Sequence, residues 1–149
     1  MTEVLFYHLE QRPLEQVLPI LLEKTLQRGW RAVVQTGSEE RSEALSAALW
    51  TWRDEAFVPH GTAGDGNAPL QPVWLTHTDE TPNDASVRFY VDGAPLGDLS
   101  ALERAVYMFD GRDQAAVETA RSEWKQIAGS GNDVTYWQQD ESGRWQKKA

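Results

Sequence analysis

"VLFYHLEQRPLEQVLPILLEKTLQRGWRAVVQTG", residues 4–37, holds a complete strand–helix–strand unit, and its reading decides the fold. Residues 4–9 form an apolar and aromatic run that suits a buried strand. Leu14, Val17, Leu18, Leu21, Leu22 and Leu26 then recur at helical spacing, with Pro13 suited to a first helical turn and Gly29 to a helix end. Pro19 falls inside that pattern, where it removes a hydrogen bond and crowds the preceding turn, so the helix is expected to kink there or to begin near Val17. Residues 31–37 are rich in β-branched side chains and read as a second strand. Ser38 can then cap a further helix that carries Glu39 and Glu40 in its first turn.

Working outward, the alternation of strand and helix is the pattern of right-handed crossovers and a parallel sheet, and so of an α/β layered fold. In the second helix Leu45, Ala48, Leu49 and Trp52 share one face. Trp50 lies two residues from Trp52, about 200° around the helix axis, so it is expected near the surface beside Phe57 and Pro59. Residues 61–69 are glycine-rich and polar and read as a loop, and residues 72–78 and 86–93 read as strands. Residues 98–111 suit either state. Leu99, Leu102 and Val106 favour a short helix, and the run from Ala105 to Phe109 favours a strand after it. Residues 113–128 make the last long helix and residues 134–139 a final strand. One domain is expected over residues 1–139, followed by a polar, flexible tail over residues 140–149.

A chain of 149 residues is long enough for one real core. Its 40% hydrophobic and 25% charged residues are ordinary for soluble globular proteins. The formal charge of −9 disfavours direct contact with a phosphate backbone unless the basic residues are gathered in one place. No cysteine is present, which excludes disulfides and thiolate metal sites and fits a reducing compartment. The first residues lack a basic stretch followed by a long apolar run, so the expected location is the cytoplasm.

Few residues suggest catalysis. "HGTAGDG", residues 60–66, is a glycine loop without the lysine or the spacing of a phosphate loop, so no nucleotide cofactor is expected. His8, His60 and His77 are far apart and form no H-x-x-x-H pair, so no metal is expected either. The enzymatic alternative is a small α/β enzyme with its site around His60, aided by Asp54, Glu55 or Asp65. No G-x-S-x-G elbow accompanies it.

Binding through aromatic anchors is the competing class, because the chain carries seven tryptophans and indoles bury a large rigid area at small entropic cost. Trp50 is either a partner contact or a peripheral packing residue. In "ARSEWKQIAG", residues 120–129, Arg121, Trp124 and Lys125 place a guanidinium, an indole and an ammonium on adjoining helical surface. Such a patch suits a short acidic peptide with an aromatic or carboxylate end, and the same spacing also suits a solvated helix face with one core tryptophan.

A resemblance weighs between these readings. "FYHL", "ALWTWRDEAFVPHG", "PVWL" and "ARSEWKQ" followed by "GNDVTYWQQ" occur in an order, across residues 4–139, that resembles the chi subunit of bacterial DNA polymerase III. The resemblance implies a three-layer α/β/α fold with a mostly parallel sheet, similar to a P-loop or Rossmann-like fold but lacking the phosphate loop. It also implies a non-catalytic adaptor, monomeric alone, without a cofactor and touching DNA only indirectly. Such an adaptor links the clamp loader, through the psi subunit, to the acidic C-terminal tail of single-stranded-DNA-binding protein. On this resemblance Arg121, Trp124 and Lys125 become the tail contacts, with Val134 and Thr135 closing the pocket. Trp50 and Phe57 become the surface for psi or a competing helicase, and His60 becomes structural. Val117, one turn before Arg121, departs from the basic residue that some relatives carry.

Overall fold

The structure, a computed structural model, describes residues 2–50, 60–142 and 144–148. Strand β1 (Glu3–Leu9) leads into helix α1 (Leu14–Gln27), strand β2 (Ala32–Gln35) and helix α2 (Glu39–Trp50). A 3-10 turn at Ala68–Leu70 precedes β3 (Val73–Thr76), β4 (Val87–Tyr90) and β5 (Arg104–Asp110). Helix α3 (Gln114–Ala128), β6 (Asp133–Gln139) and β7 (Trp145–Lys147) follow. The sheet order is β3-β2-β4-β5-β1-β6-β7, parallel throughout except for β7, which runs antiparallel to β6.

Helices α1 and α2 cover one face through Val17, Leu18, Leu22, Leu45 and Leu49, and α3 covers the other through Val117 and Ala120. This is the α/β layered fold that the strand–helix alternation predicts, in the three-layer α/β/α form that the resemblance implies. Covered on both sides, β2, β3 and β4 are buried at every position, so that even the polar Gln35, Thr76 and Arg88 lie inside.

Helix α1 runs unbroken through the buried Pro19, so it begins at Leu14 and not near Val17. Gly29, just after the helix, has φ +81°, a left-handed conformation that favours glycine. Ser38 caps α2 by accepting a hydrogen bond from the Arg41 backbone N–H at 3.2 Å.

Two expectations are corrected. No helix forms around residues 98–102. The Thr2 hydroxyl contacts the Leu99 and Leu102 carbonyls at 2.6 and 2.9 Å, oxygens that a continuing helix would use itself, and both leucines are buried against the sheet. Their three-residue spacing therefore marks a buried turn. Nor are residues 140–149 all tail, because β7 pairs Lys147 with Trp137 and Trp145 with Gln139. Asp140 Oδ1 accepts bonds from the Ser142 and Arg144 N–H groups, both at 2.9 Å, and Trp145 packs edge-on against Tyr7 with ring centroids 4.8 Å apart. One aromatic anchor is enough to hold this polar segment to the sheet.

Candidate functional site

Folds of this layout hold ligands outside the carboxyl ends of the parallel strands, where neighbouring connections diverge to opposite faces. Here that point is β1, with β5 on one side and β6 on the other. A cleft of about 700 Å³ opens there between the start of α1 and the start of α3. Its chemistry is largely internal. Beside it, the backbone N–H groups of Glu10, Gln11 and Arg12, successive residues of the β1–α1 loop, all donate to Gln139 Oε1 at 3.2, 3.0 and 3.3 Å. Such a run of amides is an anion-binding nest in phosphate loops, and here the chain's own amide oxygen fills it. Arg41 in the same cleft is held by Glu15 at 3.2 Å and Asp92 at 3.0 Å, and the bond to Asp92 pushes its pKa further up.

The second candidate lies on the outer side of α3. Asp113 caps the helix, accepting from the Ala115 and Ala116 N–H groups at 3.1 and 3.4 Å, and the apolar stripe through Val117 and Ala120 seats it on the sheet. That seating turns Arg121 and Lys125 outward, both exposed, and leaves Trp124 half-buried between them and β6. The Trp124 ring stands edge-on to Phe6 and Tyr136, with centroids 5.4 and 5.6 Å away. Neither Arg121 nor Lys125 has an ion-pair partner among the described residues. A half-covered indole flanked by two unpaired cations can take an apolar group and a carboxylate together. Val117 is 7% exposed and belongs to the core, so a substituent at its position would contribute packing before charge.

Strand alternation divides the remaining expected contacts. Val134 and Tyr136 pack into the cluster under α3. Thr135 does not: Trp137 Nε1 donates to its Oγ1 at 3.1 Å, and Trp137 faces the opposite layer beside Tyr7 and Trp145. The structure thus brings Arg121, Trp124, Lys125 and Val134 together and leaves Thr135 behind the sheet. In its place stands Tyr136, which the sequence reading missed although period-two counting from Val134 reaches it.

Tyr136 is held by a half-buried relay. Its hydroxyl lies 2.7 Å from His8 Nδ1, and His8 Nε2 lies 3.0 Å from Glu10 Oε1, near enough for an ion pair although not aligned as a hydrogen bond. In the neutral tautomer with its proton on Nε2, the ring turns that N–H toward the carboxylate and accepts the Tyr136 hydroxyl at Nδ1, whereas the protonated ring that would pair with Glu10 donates from Nδ1 to the Tyr136 oxygen. Burial pushes the Tyr136 pKa up, while Arg121 draws it down and Glu10 raises it. Gly111 is required beside the relay, since a Cβ there would come within 2.0 Å of the His8 ring.

On α2, Trp50 is 54% exposed, as its rotation from Trp52 predicts, and its ring lies 4.5 Å from that of His60. His60 is itself buried, with Nε2 3.1 Å from the Ser46 carbonyl. Asp65 turns back onto Thr62, accepting from its N–H at 2.9 Å. Trp52, Asp54, Glu55 and Phe57 lie outside the described residues.

The family model of the DNA polymerase III chi subunit, HolC, matches residues 1–135. The chain belongs to that family. It is 25% identical over 109 residues to a probable DNA polymerase III subunit chi of Rickettsia prowazekii, an alignment covering 73% of this chain and 66% of that protein. It is 24% identical over 128 residues to the DNA polymerase III subunit chi of Escherichia coli, covering 83% of this chain and 85% of that one. The chain thus spans just under two thirds of the Rickettsia relative. Membership makes it a replication subunit by family, and the match contains α3 entire but stops inside β6. Among the described residues no helix is long and apolar enough to cross a membrane.

Proposed function

We propose that this chi-family chain is a non-catalytic adaptor of the DNA polymerase III assembly, acting in the cytoplasm and monomeric until it meets its partners. It grips the acidic C-terminal tail of single-stranded-DNA-binding protein on the α3 face, and so meets DNA only indirectly. Arg121 and Lys125 take the tail's carboxylates, and Trp124 with Val134 takes its terminal apolar side chain. The observation that carries this reading is the half-buried Trp124 between two exposed cations that have no ion-pair partner among the described residues, on a chain whose formal charge is −9. A second surface, at Trp50 and Phe57, serves the psi subunit or a competing helicase, supported by the 54% exposure of the Trp50 indole. His60 serves that surface as packing, its ring against Trp50 and its nitrogen on a backbone carbonyl. A small-molecule enzyme site around His60 draws no support from so buried a ring.

The test is binding of a fluorescent peptide that copies the tail, to wild type and to Arg121→Glu, across a salt series. Binding should weaken as salt rises, because exposed charge pairs are screened within about 10 Å at 0.1 M. Arg121→Glu should lose at least about tenfold in affinity, the scale of one charge-assisted hydrogen bond. Absence of binding at low salt by folded protein would remove the tail from the α3 face.

A further inference from the structure

Strand β7 builds a second basic and aromatic surface, on the opposite side of the sheet from α3. Tyr7, Trp137 and Trp145 wall a cleft of about 270 Å³, and Ile20 and Leu21 of α1 form its floor. Trp137 and Trp145 lie beyond residue 135, where the chi-family match ends. We propose that this cleft docks an acidic peptide segment that carries one aromatic or large aliphatic anchor between its carboxylates.

The anchor follows from the walls. Ile20 is 36% exposed, one of only a few large hydrophobic residues in the described chain so open to solvent, and it faces three aromatic rings. An apolar side chain entering there would bury against rigid surfaces that are already ordered. The T-shaped pair of Trp145 and Tyr7 fixes one wall, and the bond from Trp137 Nε1 to Thr135 fixes another.

The acidic flanks follow from the rim. Arg12 and Lys24 line the cleft, and among the described residues no carboxylate does. Lys147 sits opposite Trp137 and, two residues from Trp145, faces the same side. None of the three cations is ion-paired among the described residues. On a chain with 23 acidic and 14 basic residues, such a rim concentrates positive potential where most of the surface repels carboxylates. Arg12 precedes α1 and Lys24 lies in its last turn, about 15 Å along the helix at 1.5 Å per residue. An extended peptide crosses that distance in about five residues. The fitting ligand therefore has carboxylates about two residues to either side of its anchor. It needs no terminal carboxylate, unlike the tail proposed for the α3 face, and the two proposals stand or fall separately.

The probe is a fluorescein-labelled Asp-Asp-Gly-Phe-Gly-Asp-Asp peptide, acetylated and amidated, read by anisotropy at low salt against full-length wild type, Lys24→Glu, Lys147→Glu and Arg121→Glu. All three positions are exposed, and circular dichroism checks that each variant is folded. Saturable binding that falls about tenfold in Lys24→Glu and in Lys147→Glu, is unchanged in Arg121→Glu, and weakens when asparagine replaces the aspartates supports the proposal. No saturable binding by folded wild type overturns it, as does binding lost in Arg121→Glu but kept in the other two. Sedimentation showing a wild-type dimer that Lys147→Glu dissociates would assign the groove to a second copy of this chain and also overturn it.

Discussion

The two faces of β6 make an instructive pair. On one, Val134 and Tyr136 lie under α3, where Trp124 wedges against Phe6 and the sheet. On the other, Thr135 and Trp137 look toward α1, and the half-buried Trp145 packs at the margin of the core, edge-on to Tyr7. Both faces combine indoles with cations, yet they are built differently. The α3 face belongs to a helix closed by a cap and an apolar stripe, whereas the α1 face depends on a three-residue edge strand. Aromatic and basic residues on neighbouring positions of one strand therefore need not belong to one site. Pleating assigns them to different surfaces, and different elements then complete each surface.

The largest expected difference is between the two tryptophans. Trp124→Ala removes an indole that meets two rings and should cost about 3 kcal/mol in urea unfolding, together with tail binding. Trp145→Ala removes a ring with one aromatic neighbour at the sheet edge and should cost about 1 kcal/mol, with tail affinity unchanged. Equal losses would mean that β7 is as integral to the core as α3, and the contrast between the faces would collapse.

Next in size is a pair of adjacent substitutions. Val134→Asp places a carboxylate under the α3 face and should weaken the tail peptide about tenfold, whereas Thr135→Asp, one residue on, should leave it within about twofold. Anisotropy with the same labelled tail reads both. A larger effect at Thr135 would show that the tail reaches around the sheet edge.

The ease of reading these regions in the sequence differs for the same physical reasons. Strands β1 and β6 were legible as short apolar and aromatic runs and helix α3 by its helical period, with Asp113 marking the helix start. Leu99 and Leu102 misled because a buried turn uses the same three-residue spacing as a helix when Thr2, far away in sequence, takes its carbonyls. Strand β7 was hidden in a polar segment where only Trp145 signals the core. Arg121, Trp124 and Lys125 could be grouped from helical spacing alone. Tyr136, His8 and Glu10 could not, since their contact joins β1 to β6 across more than 120 residues, as the 128-residue separation of His8 and Tyr136 shows. The plug formed by Gln139 in the β1–α1 loop is equally long-range.

The smallest effect appears only in alkaline solution and separates the faces by their tyrosines. All four, Tyr7 toward α1 and Tyr90, Tyr107 and Tyr136 toward α3, have pKa values raised above the ordinary 10.0, chiefly by burial. A phenol with a raised folded-state pKa favours the protonated native form. Its contribution to stability is fully present below the unfolded value and is lost as pH rises through the folded one. Stability should therefore hold to about pH 10 and decline beyond it, with phenolate absorbance lagging that of free tyrosine. Arg121 opposes the rise at Tyr136, and Arg104 does so at Tyr7. Arg121→Gln should accordingly delay ionisation of Tyr136 and leave Tyr7 unchanged, a shift resolved by titrating Tyr136→Phe in parallel. If Arg121→Gln leaves the phenolate curve where it was, the guanidinium does not reach the strand, and the α3 face is a helix surface without β6 behind it.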